Sequence, residues 1–257
     1  MVKLVEVKVQ NEAGILPQIE EIKLMAHDRE TGYKAVVNTS NMETICVVPQ
    51  DNAIVQHQHV YDEVQKLENY VMKDVRLMKG GQVLMIELME RTPRQIELMP
   101  DDMLECGARI FNDYGKNRGL TVQGYGVRLV CTNGVTAPQS GSKIQIEAFG
   151  TADFAKEIEE KIESALNAWA NVSDLFVEAQ STVVSVKDIA TEIEHLLPKK
   201  YMKTVFEHLR EQESLYNVWN ELTRTITHDM GVKINKKGEV SLQQKVNKVL
   251  TIKVETQ

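Results

Sequence analysis

Hydrophobic and polar residues alternate in short runs over the first half of the chain, and turn residues separate the runs. From Val2 to Val9, apolar Val2, Leu4 and Val9 are interleaved with Lys3 and Lys8, which predicts a strand. Tyr33-Lys-Ala-Val-Val-Asn38 and Glu43-Thr-Ile-Cys-Val-Val48 flank Thr39-Ser-Asn-Met42, the pattern of a β-hairpin. Pro49 to Asn52 then breaks the run. Val60, Val64, Leu67 and Val71 follow at three-and-four spacing, which predicts a helix with one buried face. Val75–Met78 and Val83–Leu88 surround Gly80-Gly81, so a second hairpin is expected, with glycines at the turn where φ must be positive. A third hairpin pairs Met103–Tyr114 with Leu120–Cys131, and Lys143–Phe149 alternates as a last strand.

The period changes at Gly150. Thr151-Ala-Asp-Phe154 reads as a helix N-terminus, and Phe154, Ile158, Ile162, Leu166 and Trp169 mark one helical face. Further helices are expected through Leu175 and Val177 to Val184, over Val186–Leu197 up to Pro198, over Lys200–Glu213 and over Leu215–His228. Leu215, Trp219, Leu222 and Ile226 form the stripe of the last of these. Trp169 and Trp219 are expected as core anchors. Leu242, Val246 and Val249 suggest a final helix, or a strand through Val249–Val254. The expected fold is α+β: an antiparallel sheet of hairpins with one early helix over residues 1–150, and a helical region over 151–257 packed on it.

Composition narrows the class. An apolar fraction of 42% in 257 residues supports a real core, and 26% charged residues is an ordinary surface. The three cysteines have no paired spacing, so neither a disulfide framework nor a zinc ribbon is expected, and a reducing, cytoplasmic compartment fits. The first residues read as no secretory leader, and no run approaches the roughly 20 apolar residues of a membrane span, so no membrane partner is expected.

Net charge is −7, which argues against a polyanion binder held by overall charge but leaves room for a local basic surface. Two places carry such an excess. Between Cys106 and Gly134 the chain has Arg109, Lys116, Arg118 and Arg128 against Asp113 alone. Residues 150–197 hold ten acidic and three basic side chains, whereas 198–257 hold eleven basic and seven acidic; the cluster Lys199, Lys200, Lys203, Lys233, Lys236 and Lys237 would add to the basic hairpin surface, and solvated helix faces are the plainer reading. Clustered cations are what phosphate binding needs, because each contact contributes a small, salt-dependent increment. Tyr114 and Tyr125 beside the third hairpin offer faces on which unpaired bases stack. The nucleic-acid-binding candidates are therefore Arg109, Lys116, Arg118, Arg128, Tyr114 and Tyr125; soluble, edge-protecting residues at a hairpin tip are the plainer reading.

Catalytic chemistry finds less support. His57-Gln-His59 would face one side of a strand, but a third ligand at recognisable spacing is missing, so no metal site is expected. Asp101, Asp102, Glu105 and Glu147 lack a lysine two residues beyond an acid on one strand, as metal-dependent phosphodiester cleavage would want. Glu21-Ile22-Lys23 has that order without a partner acid. Cys131 has no identifiable histidine partner. There is no phosphate-loop or dinucleotide fingerprint, so no cofactor and no catalytic residue is expected.

Tyr33–Asn38, the stretch from Asp101 to Tyr114, Gly126-Val-Arg-Leu-Val-Cys-Thr-Asn-Gly134 and Ser214-Leu-Tyr-Asn-Val-Trp-Asn-Glu-Leu-Thr-Arg-Thr-Ile-Thr227 together resemble the phage/plasmid-like domain-of-unknown-function 932 family. That resemblance implies a mobile-element product and no established catalytic residue. The expected function is non-catalytic binding of single-stranded DNA or RNA in replication, recombination or annealing, in the host cytoplasm, with a homo-oligomer as the expected assembly. The alternative is a protein-interaction, virion or regulatory component. Cys131 is expected to be structural, and positive φ is expected at Asn133 or Gly134.

Overall fold

The structure is a computed structural model, and it describes residues 16–99, 102–116, 119–128, 134–136, 144–145, 154–167, 172–230, 241–243 and 245–252. The expected strand over Val2–Val9, the Trp169 anchor, the tip residue Arg118, Cys131, Asn133 and the lysines Lys233, Lys236 and Lys237 lie outside these, as does the side chain of Arg128. The fold class is α+β with antiparallel sheets, an early helix and a mostly helical C-terminal half.

The compact units do not follow the two halves of the chain. The first takes residues up to Pro93, Gly107–Gln123 and Gly141–Ala165, and the second takes Arg94–Cys106, Gly124–Ser140 and Leu166–Gln257. Two long strands, β7 (Asp102–Asp113) and β8 (Leu120–Arg128), contribute to both units.

In the first unit, β1 (Ile19–Ala26), β2 (Arg29–Asn38) and β3 (Thr44–Pro49) form a three-stranded antiparallel sheet in that order. The β2–β3 hairpin is the one the alternation predicts. β1 was not legible, because Glu20-Glu21-Ile22-Lys23 has too few apolar positions to register as a half-buried strand. Its turn to β2 places His27 and Asp28 at φ 48° and 62°, the left-handed pair that a two-residue hairpin turn demands. Ile19, Val36, Val48 and Tyr114 form a buried cluster joined by Ile45, Cys46 and Ile54.

Helix α1 spans His57–Gln65 and buries His57, Val60 and Val64. It is shorter than its apolar spacing predicts. Tyr70 N–H bonds the Leu67 carbonyl at 3.2 Å, the chain turns, and Val71 belongs to β4 (Tyr70–Met78). β4 pairs with β5 (Val83–Glu90) across Gly80 and Gly81, both at positive φ, and β5 pairs with the Gly107–Asp113 part of β7. Every residue from Val83 to Met89 is buried, so both faces of β5 are covered. Gly107 sits where a Cβ would meet the Leu88 carbonyl at 2.3 Å, so only glycine fits. β10 (Ile144–Gln145) pairs with the start of β8, and α2 (Phe154–Asn167) buries Phe154, Ile158 and Ile162 as predicted. Phe154 stacks on His59 with centroids 5.2 Å apart.

In the second unit, β6 (Gln95–Met99) pairs with the start of β7, and β9 (Gly134–Thr136) pairs with the end of β8. Gly134 thus opens a paired strand. Helix α3 (Val172–Ser181) ends before a short strand, β11 (Val183–Ser185), where β-branched Val183 and Val184 favour extended backbone. The expected helix over Val186–Leu197 shrinks to α4 (Ala190–Ile193). Helix α5 (Lys199–His208) starts at Pro198 and stops before β12 (Gln212–Ser214), which pairs with β11. Helix α6 (Leu215–Arg224) continues as a π-helical turn over Thr225–Met230. Trp219 is fully buried, as expected of a core anchor, against Phe176 at 4.9 Å and Tyr216 at 5.7 Å between ring centroids. Its indole N–H donates to Asn247 Oδ1 at 3.0 Å. Among the described residues, no helix is long and apolar enough to cross a membrane.

Candidate polyanion interface

The third hairpin does not present its basic and aromatic residues on one open surface. Arg109 is fully buried on β7, and its Nε donates to Glu87 Oε1 at 2.8 Å. Register explains the pair, since Glu87 lies directly opposite Arg109 on β5. Tyr114 is also buried: its ring lies on the His57 imidazole, centroids 3.8 Å apart and planes within 10°. Its hydroxyl accepts the His57 backbone N–H at 2.9 Å. Burial pushes the Tyr114 phenol well above the usual tyrosine range. Tyr125 is 6% exposed. These three side chains offer no face to a ligand, whereas Lys116 is exposed at the turn.

That turn is held by Asp113. Its Oδ1 accepts from Gln82 Nε2 at 2.8 Å and from the Gly115 N–H at 3.0 Å, and its carbonyl accepts from the Lys116 N–H at 3.1 Å. The acid that interrupts the basic run is therefore a structural clamp.

His57 and His59 occupy the first turn of a helix, not a strand, so they project to different sides. His57 Nε2 meets the Gly81 carbonyl at 3.0 Å, and Nδ1 meets Asn112 Nδ2 at 3.0 Å. A carbonyl only accepts and an amide nitrogen only donates, so the ring is neutral with its proton on Nε2. Burial lowers its pKa to about 4. Among the described residues, no three His, Cys, Asp or Glu side chains converge as metal ligands would.

Among the described residues, an exposed basic surface lies in the second unit, around α5. Three lysines, Lys199, Lys200 and Lys203, lie in its first turn and a half, and all three are exposed. That turn contains no acidic residue, and among the described residues no side chain caps it; its N-cap residue is Pro198. A helix N-terminus already carries partial positive charge on its unsatisfied N–H groups, so lysines there are unfavourable for the helix and acids would be favourable. The only described counter-charge on the same helix is Glu207, 3.7 Å from Lys203 with both groups largely exposed, a pair worth little.

Along one side of α5 runs an open cleft of about 470 Å³ lined by Lys200, Tyr201, Thr204, His208, Arg224 and Asp229. The Lys200 ammonium lies 4.5 Å from the Tyr201 ring centroid. Arg224, on the last turn of α6, is oriented by Glu221, whose oxygens accept from its Nε at 3.0 and 3.1 Å and from NH2 at 2.7 Å. His208 Nδ1 meets the same carboxylate at 2.7 Å. Partial burial pushes the Glu221 carboxyl up, but hydrogen bonds from Arg224 and His208 outweigh it and hold the group below the usual range. The hydrogen bonds to Glu221 raise the Arg224 pKa further, against the effect of burial. The π-helical turn brings Asp229 within 3.5 Å of Arg224 NH2. Such turns recur at functional sites because the extra residue re-aims side chains.

On the other side of α5, Met202 and Phe206 floor an open groove of about 740 Å³, rimmed by Glu194, His195, Lys199, Lys203 and Glu207. The arrangement can hold anions at the lysines and can stack a ring on Tyr201, whereas the Arg224 guanidinium is already met by Glu221 and Asp229. Among the described residues, the arrangement contains no nucleophile–base pair. The signal for this site was present in the sequence as Pro198 followed by Lys199-Lys200 without an acid. Comparison with protein-family models, curated proteins and solved structures gives no match to this chain.

Proposed function

We propose that the chain is a non-catalytic nucleic-acid-binding protein of a mobile element, working in the host cytoplasm and contacting phosphates through the lysines of α5, beside the cleft that holds Tyr201 in the second unit. One observation carries the reading: three exposed lysines occupy the uncapped, acid-free first turn and a half of α5. A local rule broken without compensation is where function is expected. The helix accepts a cost that a bound phosphate would reverse, since anions are stabilised at helix N-termini. Tyr201 beside the same cleft supplies the sequence-tolerant stacking that single strands use. The resemblance of Gly126–Gly134 and Ser214–Thr227 to the phage/plasmid-like family supports the mobile-element origin. Lys116 belongs to the first unit.

The apolar floor of Met202 and Phe206 favours a second reading, a protein-interaction component. Fluorescence anisotropy with labelled single-stranded DNA, duplex DNA and RNA at low salt separates the two. The proposal expects binding of single strands, weakened by Tyr201→Ala in the full chain. Absence of any affinity at low salt contradicts it and leaves the protein-interaction reading.

A further inference from the structure

The outer edge of β1 carries the means to recognise a second copy of the same chain. Among the described residues, β1 is the end strand of its sheet. The Gln18 carbonyl accepts the Thr39 N–H at 3.0 Å, which fixes the phase of the strand. Backbone groups of Gln18, Glu20 and Ile22 face β2, and those of Ile19, Glu21 and Lys23 face outward. Ile19 O takes a long contact of 3.5 Å from Gln56 Nε2, whereas Glu21 and Lys23 present a bare edge among the described residues, the template on which another strand adds.

We infer that two copies of this chain associate by antiparallel pairing of β1 with β1, in the register that sets Glu21 of each copy opposite Lys23 of the other. This inference is independent of the nucleic-acid reading. Charge selects the register. A shift one way puts Glu21 against Glu21, and a shift the other way puts Lys23 against Lys23; like charges directly opposite are destabilising. Glu21 and Lys23 both point their backbone groups outward, so in the selected register each such pair exchanges both N–H···O bonds.

The two faces of the sheet agree with that register. On one face, Lys34 bonds Glu21 at 2.5 Å and Lys23 bonds Glu30 at 2.8 Å within a single chain. Across the junction the sequence of charges becomes Lys34, Glu21, then Lys23 and Glu30 of the second copy, alternating in sign throughout. On the other face, Ile22 lies opposite Ala35 and Ala35 opposite Val47. Ile22 is 37% and Val47 54% exposed. The two-fold axis passes between the Ile22 side chains and makes that row twice as long. The register irregularity after Lys23 ends the regular edge, so the pairing is short and the association concentration-dependent.

The test uses the full chain in sedimentation velocity across a concentration series. A monomer–dimer equilibrium is expected. Glu21→Lys alone and Lys23→Glu alone each weaken self-association about tenfold or more, because each replaces attraction by repulsion at both symmetry-related pairs. Mixing the two variants restores a dimer, since one then presents lysine at both positions and the other glutamate at both, and every pair across the axis is again of opposite sign. Circular dichroism melts of each variant report the fold, as both residues have partners within the chain. Ile22→Cys serves as the second arm: under oxidation it forms a disulfide-linked dimer faster than Met25→Cys, with the wild-type chain as control for native cysteines. A wild-type chain that is monomeric at every concentration overturns the inference. So does a mixture no more associated than its components, or equal cross-linking at positions 22 and 25.

Discussion

Neutral His57 donates from Nε2 to the Gly81 carbonyl and accepts at Nδ1 from Asn112, so protonation removes the second bond and buries a charge. Burial is the largest cause of its lowered pKa of about 4; the Gly81 hydrogen bond and the charge of Asp113 pull the other way. In the unfolded chain the ring takes its proton near pH 6.5. The unfolded state therefore binds the proton first as pH falls. The contribution is complete above about pH 6.5 and is lost between there and about 4, amounting to roughly 3 kcal/mol. Urea unfolding at pH 7 and pH 4.5 should show this loss, and His57→Gln should be less stable at pH 7 but flatter with pH. Tyr114→Phe leaves the His57 N–H buried without its acceptor and should cost about 1–3 kcal/mol in the same assay. Arg109 belongs with these residues. Its pairing was partly legible, because Glu87 interrupts the apolar run Val83-Leu-Met-Ile-Glu-Leu-Met89, and a charge in such a run implies a buried partner. Spacing alone did not give the register that supplies Arg109. Arg109→Ala should destabilise the fold by about 3–5 kcal/mol, the scale for breaking a buried pair. The folded fraction should keep its nucleic-acid affinity; a large loss of affinity per folded molecule would return Arg109 to the binding surface.

Elements were legible where periodicity ran uninterrupted. The β2–β3, β4–β5 and β7–β8 hairpins, α2 and α6 stand where alternation or three-and-four spacing puts them. Val71 was read as helix because Val60, Val64, Leu67 and Val71 keep one spacing across a boundary set by the turn at Leu67–Tyr70. β6 escaped because Gln95-Ile-Glu-Leu-Met99 is short and half polar. Helix α6 shows how local and tertiary signals combine. Ser214 caps it, accepting the Asn217 N–H at 3.1 Å, and its buried stripe docks through Trp219. Ser214→Ala should cost about 1 kcal/mol. Trp219→Ala should cost about 3–5 kcal/mol, as large-to-small changes at aromatic core positions do. Thermal melts that rank these two the other way round would mean that the aromatic cluster of Phe176, Tyr216 and Trp219 is not what anchors α6.

At the scale of the molecule, net charge −7 conceals a division that residue counts already showed: acidic residues dominate 150–197 and basic ones dominate 198–257. Which cations are free to act was not legible, because a lysine in a helix turn and an arginine in a two-face-buried strand look alike in composition. Burial separates them, taking Arg109 into the core and leaving Lys199, Lys200 and Lys203 exposed. If these three lysines hold phosphates, their contribution is written in the salt dependence of single-strand binding. Each phosphate contact contributes about 0.7 to the slope of log affinity against log salt for single strands. Neutralising Lys199, Lys200 and Lys203 together should therefore weaken binding at low salt and flatten that slope by about 2 units, with the melting temperature unchanged or raised because the helix N-terminus is relieved of like charge. A wild-type chain with no affinity for single strands at low salt, or a triple variant that keeps the wild-type slope, would contradict the account.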